Sequence, residues 1–169
     1  WAGEFVKELY EAGIVTGVSE TEFGPSLSMR RGDFVLMLYR AAGEPEVGTG
    51  SGFTDVADDA YYADAVAWAV ANGITDGKGE GVFAPDDTLT RQEGFTLLCR
   101  ALDVLGISYS DGDVSVLDGF ADGASVADWA RQSTATLIAM GVVEGSDSGL
   151  NPSASLTRAE MAKLLASVI

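Results

Sequence analysis

The chain has 169 residues, 47% apolar and 21% charged, which is enough apolar content for a packed core and excludes wholesale disorder. Acidic residues outnumber basic ones 26 to 10, and the resulting net charge of −16 repels a phosphate backbone and excludes general nucleic-acid binding. The lack of histidine removes Ser-His-Asp and Cys-His nucleophiles and His-ligated metals, and the single cysteine removes an internal disulfide or a Cys-based zinc cluster.

In chain order, a first helix is predicted over 2–12, where Phe5, Val6, Leu9 and Tyr10 recur at helical spacing. Gly13 follows, where a left-handed residue ends a helix. A loop runs to Phe23-Gly-Pro25, and a second helix covers 31–42 with Met37 and Leu38 on its buried stripe. The stretch 43–52, rich in Gly, Glu and Pro, reads as a linker or surface loop. The plan then recurs: a helix over 61–72, Gly73, a loop to Phe83-Ala-Pro85, and a helix over 91–104 buried at Leu97 and Leu98. Cys99 lies in that apolar run and reads as a small buried side chain, not a reactive thiol. A second connector, 106–119, is rich in Gly, Asp and Ser. The last helices fall at 127–140, ended by Gly141, and at 158–168, buried at Leu164 and Leu165. No stretch approaches the roughly eighteen apolar residues of a membrane span. Residues 1–10 lack the basic-then-apolar layout of a secretory signal.

These elements form three copies of one unit. Shifting the middle copy by 60 places Tyr61 on Trp1, Gly73-Ile74 on Gly13-Ile14, Gly77 on Gly17, Phe83 on Phe23 and Arg91 on Arg31. An offset of 67 or 68 toward the C-terminus matches Phe53-Thr-Asp55 to Phe120-Ala-Asp122, Tyr61 to Trp129, Gly77 to Gly145, and Leu89-Thr-Arg-Gln-Glu93 to Leu156-Thr-Arg-Ala-Glu160. The copies are assigned to 1–43, 53–106 and 118–169. The first lacks the Phe-x-Asp opening, so the chain reads as a trimmed piece of a longer protein. One helix pair cannot bury both of its faces, whereas three can. The expected fold is therefore all-α: three tandem helix–loop–helix repeats in a pseudo-threefold, three-lobed bundle.

The start of each second helix carries the sharpest local signal. Thr90-x-x-Glu93 and Thr157-x-x-Glu160 are capping boxes. Arg91 and Arg158 sit at the first helical position, where the helix dipole disfavours a cation. The first copy departs from this pattern: Arg30 replaces the capping threonine and Asp33 the glutamate, so Ser28 becomes an alternative cap one turn earlier. Gly94 weakens the middle helix locally. The third copy's loop is one residue shorter and carries Leu150 in place of the Phe.

Phe-x-Asp-Val, an aromatic residue at the first helix, Gly-Ile-x-x-Gly, Phe-x-Pro and Leu-Thr-Arg-x-Glu, in that order and repeated, resemble S-layer homology domains over nearly the whole chain. The resemblance implies a three-lobed helical unit that tethers surface proteins non-covalently to the bacterial cell envelope. The implied location is the cell surface, and the chain would be one part of a longer secreted protein. The implied ligand is a secondary cell-wall polysaccharide, often bearing a pyruvate ketal, held in grooves between lobes; for some relatives it is peptidoglycan itself. Carried over by position, the ligand-contacting arginines are Arg91, Arg158 and Arg31, with Thr90 and Thr157 beside them. The aromatic residues are Trp1, Tyr61 and Trp129, and the loop glycines are Gly17, Gly77 and Gly145. The resemblance implies no catalytic residue, metal or cofactor, no nucleic-acid partner and no membrane insertion.

The residue chemistry suits an acidic sugar. A guanidinium fork matches a carboxylate, and a helix start offers free N–H groups, so an arginine at that turn is expected to face an open crevice as part of an anion site. Screening confines charge effects to roughly 8–10 Å, so the acidic surface does not forbid a local site. The structural alternatives are inter-lobe ion pairs for the arginines and lobe packing for the aromatics, while Phe23, Phe83 and the prolines read as structural. Gly77-Lys-Gly-Glu-Gly81 lies outside a strand–helix junction and reads as a turn. Asp111-Gly-Asp113 and Asp86-Asp87 lack EF-hand spacing and read as solvated charge. Two functional rivals remain beside polysaccharide anchoring: self-association or protein contact within a surface layer, and direct peptidoglycan binding. Without histidine or a recurring carboxylate pair, an enzyme is the weakest reading.

Overall fold

The computed structural model describes residues 1–169. Six α-helices follow in order: α1 (Gly3–Glu11), α2 (Arg31–Ala41), α3 (Ala63–Ala71), α4 (Arg91–Ala101), α5 (Asp128–Ala139) and α6 (Arg158–Ala166). Two 3-10 helices, Val114–Gly119 and Gly123–Ser125, precede α5. There is no sheet beyond isolated β-bridges. The helices stop one to three residues short of the sequence expectation at their C-terminal ends. Gly13, Gly73 and Gly141 terminate the first helices at φ 74°, 69° and 75°. The next residue's N–H closes each end onto a carbonyl five residues back: Ile14 to Leu9, Ile74 to Ala69 and Val142 to Leu137.

The helices do not pair within their own copy. Helix α2 packs on α3, α4 on α5, and α6 on α1, so each second helix lies against the first helix of the next copy and the last copy returns to the first. The backbone repeats this order at the centre. Met29 N–H donates to Leu156 O (2.7 Å), Leu156 N–H to Leu89 O (2.8 Å), and Leu89 N–H to Met29 O (2.8 Å), a closed ring of three hydrogen bonds through equivalent residues. Those three side chains are fully buried, in a single core cluster that takes residues from all three copies.

The same cyclic order fixes where the second helices begin. The first two helical N–H groups of α2 donate to Asp87 O and Pro85 O, those of α4 to Ala154 O and Pro152 O, and those of α6 to Leu27 O and Pro25 O. These donors are satisfied by the neighbouring copy's loop, so they are not free for an anion, which corrects that part of the sequence reading. They also explain why α2 starts in register without a capping threonine: Arg30 is its N-cap with no side-chain bond, and Ser28 does not cap. Gly94 has a structural reason as well, since a Cβ there would meet Leu156 Cδ2 at 2.8 Å.

The connectors are less free than their composition suggests. The stretch 106–119 contains the 3-10 helix Val114–Gly119, which packs on α5 and buries Leu117 completely. In 43–52, the Tyr39 hydroxyl holds Pro45 O at 2.7 Å, and Val47 packs on the core. Cys99 is buried, and burial pushes its thiol pKa up, which agrees with a packing role.

Candidate functional site

Each motif arginine leaves the first residue of a second helix and reaches into the next copy. Arg31 Nε donates to Phe83 O (3.0 Å) and Nη1 to Glu93 Oε2 (3.0 Å). Arg91 Nε donates to Leu150 O (2.9 Å) and Nη1 to Glu160 Oε1 (2.7 Å). Their side chains are only 5% and 16% exposed. The dipole penalty at a helix start is thereby outweighed, because the charge sits on a neighbouring carbonyl and carboxylate and not over its own helix. A ring lies beneath each guanidinium: Phe83 under Arg31 at 4.9 Å and Phe95 under Arg91 at 5.3 Å. Phe95 stands in where the third copy's loop has Leu150.

The third arginine is different. Arg158 Nε donates to Phe23 O (2.9 Å) and Nη2 to Thr16 O (2.7 Å), with Phe23 at 4.6 Å, but no carboxylate bonds it. The position that supplies Glu93 and Glu160 is here Asp33. That shorter side chain instead accepts a hydrogen bond from the Tyr61 hydroxyl. Burial lowers the Arg158 pKa, opposed by the charge of Asp33. The Tyr61 pKa is pushed up to about 12, first by loss of hydration around its hydroxyl and then by the bond to Asp33.

The glutamates also complete the helix caps, unequally. Thr157 Oγ1 accepts from Glu160 N–H (3.2 Å) while Glu160 Oε2 accepts from Thr157 N–H (2.8 Å), a full capping box. Thr90 Oγ1 accepts from Glu93 N–H (3.3 Å), but the Glu93 carboxylate is drawn away to Arg31 and to Lys78 Nζ at 3.8 Å. The box expected at Thr90 is therefore only half formed. Both threonine hydroxyls accept a cap bond, and each keeps its O–H as a donor.

Two of the arginines border cavities. One, of ≈ 380 Å³, lies between Arg31, the loop residues Thr75–Lys78, Glu93, Arg100 and Trp129. The other, of ≈ 360 Å³, lies between Arg91, the loop residues Val142–Ser146, Glu160, Lys163 and Trp1. Arg158 and Tyr61 line neither. Each cavity takes its arginine from one copy, its loop and glutamate from the next, and its tryptophan from the third. Trp1 and Trp129 are largely exposed, so their packing contribution is small. Each buried arginine keeps one terminal nitrogen, Nη2, without a protein acceptor, and neither atom is sealed from solvent. Five of the chain's ten basic side chains line these two cavities: Arg31, Lys78 and Arg100 in one, Arg91 and Lys163 in the other. Cavities thus lie beside Arg31 and Arg91, whose guanidinium groups are partly occupied by protein acceptors, whereas Arg158 spends Nε and Nη2 on two loop carbonyls.

Loop position depends on residues that the sequence reading did not assign to the site. Asp55 Oδ1 and Oδ2 accept from Phe83 N–H (2.9 Å) and Ala84 N–H (2.7 Å), and Asp122 does the same for Leu150 (2.9 Å) and Asn151 (2.8 Å). These clamps hold the carbonyls that receive Arg31 and Arg91. The recurring Phe-x-Asp was the available signal. Its phenylalanine explains the loop glycine too: a Cβ on Gly77 would lie 2.5 Å from the Phe53 ring, and one on Gly145 2.7 Å from Phe120. Gly77 and Gly145 line the cavities, whereas a Cβ on Gly17 would strike Ser19 O at 2.4 Å.

With this geometry in place, the chain matches the S-layer homology domain model over residues 1–35, 52–93 and 119–162. It is similar to the surface-layer 125 kDa protein of Lysinibacillus sphaericus, 34% identical over 100% of this chain and 14% of that protein. It is also similar to the exoglucanase XynX of Acetivibrio thermocellus, 30% identical over 98% of this chain and 15% of the relative. The cellulosome-anchoring protein of the same species is 28% identical over 85% of this chain and 32% of its own length. The chain therefore spans no more than about a third of these relatives.

Proposed function

Because the chain belongs to the S-layer homology domain family, we propose that it is a non-catalytic module that anchors a bacterial surface protein to the cell wall, and that it does so by holding an acidic wall polysaccharide in the Arg31–Trp129 and Arg91–Trp1 grooves. The anchoring part is supported by relatives that are surface-layer and cellulosome-anchoring proteins. The catalytic relatives do not point to an enzyme, since this chain corresponds to only 15% of the exoglucanase.

The observation that carries the ligand reading is the recurrence of one chemical set in two equivalent cavities: an unengaged guanidinium nitrogen, a nearby lysine and an exposed tryptophan face. A sugar bearing one carboxylate, such as a pyruvate ketal, satisfies all three. The carboxylate meets Nη2 of Arg31 with Lys78, or of Arg91 with Lys163, and the sugar's C–H face lies on the indole. Two of the three nitrogens of each guanidinium are already bonded. Recognition is therefore by one charge-assisted bond plus a lysine, not by a full fork.

Co-sedimentation with purified wall sacculi tests the reading. The chain pellets with intact sacculi and stays in solution once the polysaccharide is stripped. Trp129→Ala and Trp1→Ala, both exposed positions, each weaken pelleting roughly tenfold, about 1.4 kcal/mol. Equal pelleting on stripped sacculi would instead identify peptidoglycan as the ligand. Self-association without any glycan would support a surface-layer contact role. Arginine-to-alanine variants are poor probes, because burial makes Arg31, Arg91 and Arg158 structural as well.

A further inference from the structure

Late in the second helices, Arg40, Arg100 and Ser167 occupy the same place in the three copies. Arg40 and Arg100 each make a long hydrogen bond of 3.4 Å, to Ile14 O and Ile74 O. There the likeness ends. Arg40 has Glu44 at 3.8 Å. Arg100 is exposed, and no carboxylate lies within 4.0 Å of it. In a chain with 26 acidic residues, it is a surface cation that the fold leaves unneutralised.

Arg100 also marks a junction. Thr75, Asp76 and Arg100 line both the Arg31–Trp129 cavity and a second cavity of ≈ 620 Å³. The other walls of that cavity include Ser51, Phe53 and Gly81. The Arg91–Trp1 cavity contains no residue from the equivalent helix position, where Ser167 stands. Each hollow lies within the 300–1,000 Å³ range of small-molecule sites.

Resting on the anchoring reading, we infer that the Arg31–Trp129 groove is the entrance of a two-unit cleft, in which Arg100 takes the acidic group of a second sugar while Arg31 and Lys78 hold the first. The guanidinium of Arg100 has a single weak protein bond and so presents most of its donors to the cleft. The carboxylate of Asp76 at the junction repels a second anion on its own side and accepts sugar hydroxyls, so the acidic group of the second unit turns toward Arg100. The Phe53 ring is half-buried and gives that unit an apolar wall. The two grooves therefore differ in reach: one reads a pair of sugars and the other a single terminal unit.

The experiment compares affinities for one-unit and two-unit fragments of the polysaccharide stripped from sacculi. It is done by calorimetry in a Trp1→Ala background, which weakens the Arg91 groove and leaves the Arg31 groove unchanged. The background chain binds the two-unit fragment about tenfold more tightly than the one-unit fragment. Arg100→Gln shrinks that advantage to less than about twofold, and Arg100→Lys keeps part of it. Raising the salt narrows the difference between the background chain and Arg100→Gln. A two-unit advantage that survives intact in Arg100→Gln, or is absent from the background chain, overturns the inference. Failure of the unsubstituted chain to bind either fragment removes the polysaccharide reading itself, and this inference with it.

Discussion

At the scale of single residues, the loop clamps make a testable claim about acid. The Asp122 pKa lies below its ordinary value of 3.8, chiefly because of the bond from Leu150 N–H, and burial only partly opposes it. For Asp55 burial is the largest effect and acts upward, but the bonds from Phe83 and Ala84, with smaller contributions from its own backbone N–H and the charge of Arg31, leave the pKa lowered. A carboxyl depressed in the folded state contributes stability above its unfolded pKa, and that contribution is lost as pH falls through the lower folded value. Asp122→Asn should therefore cost about 1 kcal/mol at neutral pH and flatten the fall in melting temperature below pH ~4. Thermal melts between pH 2 and 7 check this. Ala84 lies in the left-handed region at φ 59°, where Gly24 stands in the first copy, so Ala84→Gly should be neutral or stabilising by up to about 1 kcal/mol in a denaturant melt. The caps were legible in sequence because Thr157 and Glu160 lie within one turn. The partners of Arg31 and Arg91 were not, because Glu93 lies 62 residues from Arg31 and Glu160 lies 69 residues from Arg91.

At the scale of elements, the contrast among the three helix starts has a spectroscopic readout. Tyr61 should be the last tyrosine to ionise, near pH 12. Asp33→Asn should bring its titration back toward 10, as followed by phenolate absorbance. The sign is fixed: a tyrosine pKa raised by folding adds stability below the unfolded value, and the gain is lost as pH rises through the folded one. Glu93→Gln, by contrast, leaves the almost buried Arg31 with a neutral partner, and should lower stability by roughly 3 kcal/mol in denaturant unfolding. The six helices and their glycine stops were readable from apolar spacing, which is local information. The pairing of α2 with α3, α4 with α5 and α6 with α1 was not, because nothing in the spacing of one helix says which copy will cover it. Composition misjudged the second connector, because Leu117 was one apolar residue among many small polar ones.

At the scale of the whole molecule, the ring through Met29, Leu89 and Leu156 joins the chain's beginning, middle and end at one point. Unfolding should therefore be a single transition, with far-ultraviolet circular dichroism and tryptophan fluorescence superimposing. A fragment ending at Gly106 should lack fixed structure, because it leaves Met29 N–H, α1 and α4 without partners. Cyclic order was implicit in finding three copies, and the resemblance implied grooves between lobes, but which copy supplies the arginine, the loop and the tryptophan of each groove was not readable. Repetition shows that units are alike and is silent about which surfaces meet.

Shared construction also bears on heredity. A recombination event that transfers one copy, or two, transfers no complete groove, since the arginine, the loop and the tryptophan of each come from three different copies. The smallest stretch of gene that carries adhesion from one protein to another is the whole triplet. Among genes that borrow it, trimmed inserts should confer nothing on which selection could act.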